Sequence, residues 1–145
     1  MTQLLAQSAE NAHSRAAWLP HRTASVPAAR DLLRNFLAAQ RGGERWLHAG
    51  LLVLSELVCN AVQHARVPRD RLIQVRFELA SGFLRIEVHD ASTQVPQIQA
   101  ALGEDESGRG LCLVQGLASE WGYGPRLGVG KLVWALVAPE GGIRS

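Results

Sequence analysis

The sequence predicts an α+β protein, a two-layer sandwich with helices packed on one face of a mostly antiparallel mixed sheet. Three observations predict it. Two helix-spaced apolar stretches lie early in the chain, a strictly alternating hairpin follows, and a short helix precedes a last, continuously apolar strand. A chain of 145 residues with 47% hydrophobic and 19% charged residues suits one domain around one core, which excludes a multidomain enzyme. Residues 1–17 and 141–145 read as flexible tails around a single domain at 18–140.

The stretch 18–25 contains Pro20, which cannot donate to an interior ladder, so it is expected to be an edge strand, with Ser25 capping the next helix. From Pro27, the residues Ala29, Leu32, Leu33, Phe36 and Leu37 keep helical spacing as far as Gly42 and Gly43, with Asp31 near the positive end of the helix dipole. The second helix is the longest element. Leu47, Leu51, Leu54, Val58, Ala61 and Ala65 form one stripe before Pro68 forbids continuation.

Ile73, Val75, Phe77 and Leu79 then alternate with polar residues, Ser81 and Gly82 turn the chain, and Leu84, Ile86 and Val88 alternate back. Residues 91–107 lose all periodicity, carry Glu104, Asp105 and Glu106, and read as a long loop of the kind that forms lids. Gly108-Arg109-Gly110 feeds a short amphipathic helix that ends near Gly122. Residues 123–129 are turn-rich, and 131–138 form a final strand whose run of apolar residues suits a central position in the sheet.

Fifteen basic residues against 13 acidic ones leave a net charge of +2, too small a field to make nucleic acid or a membrane surface the main partner. Cys59 and Cys112 lie far apart with no C-x-x-C spacing, so neither a zinc site nor a disulfide framework is indicated, and both are expected to pack as small apolar groups. No apolar run approaches the roughly 18 residues of a membrane span, and no secretory leader opens the chain, so the expected location is the cytoplasm.

Three constellations can carry chemistry. Glu56 and Asn60 stand four apart within Glu56-Leu57-Val58-Cys59-Asn60, which places both on one helix face. A carboxamide oxygen is a neutral hard ligand suited to Mg²⁺, and a neighbouring carboxylate can take a proton; a solvated helix face is the plain alternative. Asp90 shares the parity of Leu84, Ile86 and Val88, so its carboxylate points toward the core side at the strand's end, where a ligand's amino group or ordered water would satisfy it. The alternative is a strand that has already ended, leaving Asp90 to begin a turn. Gly108, Arg109 and Gly110 precede a helix start, where unpaired backbone N–H groups and the dipole favour an anion; a bare turn before a helix is the other reading.

Other nucleotide and hydrolase patterns fail on counting. Gly130-Lys131 is followed by Leu132 where a P-loop requires Ser or Thr, and Leu113 stands where the dinucleotide fingerprint requires glycine, so Lys131 reads as a solvated residue. His13, His21, His48, His64 and His89 show no short metal spacing, and Ser55 and Ser107 lack a nucleophile elbow.

In their order along the chain, the Glu56–Ala65 helix, Asp90, the loop, Gly108-Arg109-Gly110-Leu111 and Gly130-Lys131-Leu132-Val133-Trp134 resemble the Bergerat-fold (GHKL) ATPase superfamily. The chain is most similar to its anti-sigma factor and serine/threonine kinase branch, small actinobacterial ATP-binding regulators with a -SELVTNAVRHA- helix and a -GRGL- loop. The resemblance covers about residues 18–138. It implies ATP and Mg²⁺ as cofactors. Asn60 would hold the metal, Glu56 would act as the catalytic base on a serine or threonine hydroxyl, and Asp90 would accept the adenine amino proton. Gly108, Arg109, Gly110 and Leu111 would bind the phosphates beneath a lid made by 91–107.

Two departures from the branch stand out. Its Asp-x-Gly reads Asp90-Ala91-Ser92 here, and Leu132 is taken to replace a hydroxyl residue on the last strand near the adenine, a loss of about 1 kcal/mol. The resemblance implies a serine/threonine kinase that also binds a sigma factor and phosphorylates an anti-sigma antagonist protein, with no direct contact to nucleic acid, no membrane, and a homodimer as one assembly open to it. Ser92 and Leu132 motivate a second reading, a non-catalytic nucleotide-sensing or partner-binding module. The ATP-binding part of a histidine kinase ranks third, because no dimerising helical hairpin with a phosphoacceptor histidine is visible.

Overall fold

The alternating residues of 71–88 build the middle of a five-stranded sheet in the computed structural model, which describes residues 13–64, 71–91, 116–125 and 130–141. The described elements are β1 (Ser14–Pro20), α1 (Ser25–Ala38), a 3-10 turn (Gly43–Trp46), α2 (Leu47–His64), β2 (Leu72–Ala80), β3 (Phe83–Asp90), β4 (Glu120–Pro125) and β5 (Lys131–Val137). The spatial order is β1-β2-β3-β5-β4, and each pairing is antiparallel, where the sequence had allowed a mixed sheet. Both helices lie on one face, the expected α+β sandwich.

The β2–β3 hairpin turns on two residues with positive φ, Ser81 at 56° and Gly82 at 82°, the handedness that continues the twist of the strands. That turn sets the register Ala80↔Phe83 through Gln74↔His89. Ile73, Val75 and Phe77 on β2 and Leu84, Ile86 and Val88 on β3 therefore share one buried face. Onto it α1 brings Ala29, Leu33, Phe36 and Leu37, and α2 brings Val53, Leu54, Leu57, Val58 and Ala61. The rings of Phe36 and Phe77 meet at 5.9 Å. Arg30 ties the two helices, its Nη1 donating to Ser55 Oγ at 2.6 Å and to the Leu51 carbonyl at 3.2 Å.

Several expectations change. β1 pairs from Ser14, so 14–17 belong to the sheet and not to a tail, and the strand stops at Pro20 instead of running to residue 25. Ser14, Arg15, Ala16 and Ala17 carry little strand propensity of their own; the ladder with β2 recruits them. Pro20 does lie on an edge strand. Ser25 does not cap α1: Ala24 holds the cap position, and the Ser25 hydroxyl donates 2.5 Å to the Pro20 carbonyl, fastening strand end to helix start. Asp31 lies beyond the first turn and pairs with Arg34.

The stretch Gly43–Gln63 is long and apolar enough to cross a membrane by composition, contrary to the sequence reading, yet Val53, Leu54 and Val58 lie fully buried in this core. Residues 120–125, expected to close a helix and begin a turn, form the edge strand β4. Trp121 and Tyr123 alternate with Gly122 and Gly124, and Gly122 leaves room for the Trp134 indole, whose ring atoms would stand 2.8 Å from a Cβ there. Of the helix expected before it, the described residues begin at Gly116, and of these Gly116 and Leu117 are helical.

On the face of the sheet opposite the helices, Arg85 lies over the Trp134 ring at 4.9 Å and reaches Glu87 at 2.7 Å, while His89 bonds Glu87 at 2.9 Å. The hydrogen bond from His89, supported by the bond and charge of Arg85, outweighs burial and takes the Glu87 carboxyl down to about 2. A folded-state value below the unfolded one stabilises the protein above the unfolded carboxylate range, and that contribution disappears as pH falls toward 2. Glu87→Gln should therefore remove about 1–2 kcal/mol at neutral pH, with the deficit closing between about pH 4.5 and 2, measured by urea unfolding across pH. Gly130→Ala should cost about 3 kcal/mol in the same measurement, because φ is +119° and a Cβ would stand 1.9 Å from the Asp90 carbonyl oxygen.

Candidate functional site

Asp90 closes β3 on the side its parity predicts. It is 1% exposed, on the helix-covered face in line with Leu84, Ile86 and Val88, so the alternative of a turn residue is set aside. A carboxylate withdrawn this far from water requires compensation. Lys131 stands directly opposite in the ladder, and its Nζ lies 3.2 Å from each carboxylate oxygen. Gly130 makes the opposition possible, since any side chain there would strike the backbone of Asp90 and Ala91.

This placement corrects the reading of the last strand twice. Lys131 is 13% exposed and paired, not solvated. Leu132, taken to stand beside the adenine, has the opposite parity and shares the outer face with Trp134. The available signal was the alternation itself: counted back from buried Val133, position 131 falls on the inner face.

Glu56 and Asn60 occupy the second half of α2, both partly buried. Near its start α2 packs closely on the sheet at Gly50, where a Cβ would stand 2.9 Å from Leu84 Cδ2. Beyond that contact α2 contributes Val53, Leu54, Leu57, Val58 and Ala61 to the same core as Ile86 and Val88. Asp90 and the helix that bears Glu56 and Asn60 thus belong to the same layer interface, the acid on the sheet side and the pair on the helix side.

The Asn60 side chain is anchored at one end, Nδ2 donating to the Glu56 carbonyl at 3.1 Å, so Oδ1 is the atom available for a metal. Among the described residues no three His, Cys, Asp or Glu side chains gather as a metal cage. A single carboxamide oxygen supplemented by phosphate and water fits Mg²⁺, which retains much of its hydration. Burial raises the Glu56 carboxyl above its ordinary value, which strengthens it as a proton acceptor. Burial first and the Glu56 charge second push the Cys59 thiol up, in keeping with an unreactive packed thiol.

Gly108, Arg109, Gly110 and Leu111 lie outside the described residues, as do Ser92, Cys112 and all of the 91–107 loop except Ala91. The ends of that connection are nonetheless fixed. β3 and β4 each run antiparallel to β5, which separates them, so they run parallel to one another and the chain after Asp90 must return the length of the sheet to start β4.

The structure is similar to the histidine kinase domain of a blue-light activated histidine kinase from Erythrobacter litoralis EL346, with a TM-score of 0.50 and 24% sequence identity over 81% of this chain. The match spans 60% of that chain's length, and the likeness is one of fold. No curated protein matches the sequence. The histidine kinase-like ATPase domain family matches residues 19–135, most of the chain and the whole span from β1 into β5. A two-layer sandwich with its buried acid at the end of a central strand thus belongs to the histidine kinase-like ATPase domain family of the GHKL type, an ATP-binding fold.

Proposed function

We propose that the protein is an ATP-binding anti-sigma regulatory factor with serine/threonine kinase activity toward an anti-sigma antagonist, acting in the cytoplasm. The observation that carries the reading is Asp90, 1% exposed at the end of β3 on the face that the helices cover. A buried acceptor beside a helix bearing a carboxamide and a carboxylate meets the needs of a nucleotide site: a partner for the base, a hold on the metal and a proton acceptor.

In this reading Asp90 accepts a hydrogen bond from the adenine amino group, and Gly108, Arg109, Gly110 and Leu111 bind the phosphates. Bound Mg²⁺ neutralises charge on the triphosphate, and Asn60 Oδ1 would hold it. The hydroxyl oxygen of an incoming serine or threonine bonds to the γ-phosphorus, its proton passes to Glu56, and the bond from phosphorus to the β–γ bridging oxygen breaks to release ADP. The raised affinity of Glu56 for a proton supports its part in this exchange. A sigma factor would be held by the same protein, so phosphorylation of the antagonist preserves the sigma complex.

The rival reading, a non-catalytic module, drew on Ser92 and Leu132. Leu132 no longer supports it, because that side chain belongs to the outer face. Isothermal titration should show Mg²⁺-dependent ATP binding that Asn60→Ala and Asp90→Asn each weaken at least tenfold, in line with hydrogen bonds to charged groups. With radiolabelled ATP and a candidate antagonist, Glu56→Ala should bind nucleotide and fail to transfer phosphate. Transfer at the wild-type rate by that variant overturns the role of Glu56, and absence of ATP binding by the intact protein overturns the function.

A further inference from the structure

Lysine occurs once in this chain, against 14 arginines, and it occurs opposite Asp90. Its Nζ is equidistant from the two carboxylate oxygens at 3.2 Å, with the two side chains 13% and 2% exposed. The register cannot slide here, because Gly130 brings β5 against the Asp90 carbonyl with no space for a Cβ. A hydrogen-bond acceptor and a compact triple donor are therefore held side by side at the end of the sheet where nucleotide binding is proposed.

We propose that Lys131 reads the nucleotide base together with Asp90, its ammonium donating to ring N1 of adenine while the carboxylate accepts from the 6-amino group. The inference rests on the nucleotide site argued above and adds to it a residue that determines base specificity. The edge of adenine offers a donor, the amino group, beside an acceptor, N1; the Asp90–Lys131 pair offers an acceptor beside a donor. The ammonium has three N–H bonds, so it can keep one on the carboxylate and turn another to N1, and the buried carboxylate never loses its counter-charge. Arginine would serve less well. Its planar fork prefers to keep both N–H bonds on the carboxylate in one fixed plane, whereas an ammonium can rotate one of its three N–H bonds away to N1 without leaving the acid.

The test pairs one ligand atom with one side chain. Isothermal titration in Mg²⁺ compares ADP with 1-deaza-ADP, in which N1 is replaced by C–H, against the intact wild-type protein, Lys131→Met and Lys131→Arg. Wild type should bind 1-deaza-ADP about tenfold more weakly than ADP, the loss expected for one hydrogen bond from a charged donor. Lys131→Met should bind ADP about tenfold more weakly than wild type and distinguish the two ligands less than twofold. Lys131→Arg should also bind ADP more weakly.

Equal affinity of the wild type for the two ligands overturns the proposal without recourse to any variant, so a poorly folded Lys131→Met leaves it open to refutation. Undiminished N1 discrimination by Lys131→Met overturns it as well. Tighter ADP binding by that variant overturns it in favour of an ammonium that merely occupies the site and must leave. These outcomes all require that wild type binds ADP; if it binds neither nucleotide, the nucleotide site itself falls and the role of Lys131 falls with it.

Discussion

A carboxylate at 1% exposure is stable only if the fold provides for it, and much of this structure can be understood as provision for Asp90. The two-residue turn at Ser81 and Gly82 sets the β2–β3 register so that even-numbered residues of β3 face the helices, and Asp90 is the last of them. Gly130 lets β5 begin where β3 ends, and Lys131 then meets the acid across the ladder. A register slip of one residue in β5 would bring Leu132 to the inner face and turn the ammonium outward, leaving a buried charge without this counterion.

The two faces of the sheet handle charge differently. Outside, Glu87 is held by His89, Arg85 and the more distant Arg76 in a network that water still reaches, and its carboxyl stays ionised far into acid. Inside, Asp90 and Lys131 form a pair shielded from water, where each group depends far more strongly on the other. Neighbouring positions on one strand thus serve different ends: residues 85, 87 and 89 tie the open face together, and residue 90 pairs with Lys131 on the covered face. The helix above adds the remaining groups without distorting its core, because Glu56 and Asn60 lie beside the buried set Val53, Leu54, Leu57, Val58 and Ala61 and not within it.

What the sequence revealed follows from the range of the interactions involved. Glu56 and Asn60 share a face by helical geometry, Asp90 falls inward by strand parity, and Ser81-Gly82 announces its turn; each is a short-range rule, and each was legible. The strand at Ser14–Ala17 was not, because its residues become a strand only through the ladder with β2. Nor was β4, where glycines signal a turn to a reader of local propensity but in the sheet make room for the Trp134 ring. Lys131 was missed for a further reason: the unbroken apolar run at 132–137 conceals the alternation that places position 131 on the inner face, and its partner Asp90 is fixed by the pairing of β5 with β3.

Topology also explains why the elements of the proposed nucleotide site fall in the order they do. Since β5 lies between β3 and β4, and β3 and β4 run parallel, the chain cannot leave Asp90 by a tight turn; it needs a connection long enough to travel back along the sheet. That connection starts at the buried acid, carries Gly108-Arg109-Gly110 within its sequence, and ends at Glu120. In the proposed site Gly108-Arg109-Gly110 would be tied through the chain to Asp90, whereas Asn60 and Glu56 come from α2, a different part of the sequence. There the sheet would hold the base and the helix the reacting end, and these two elements share one core in which Gly50 packs on Leu84.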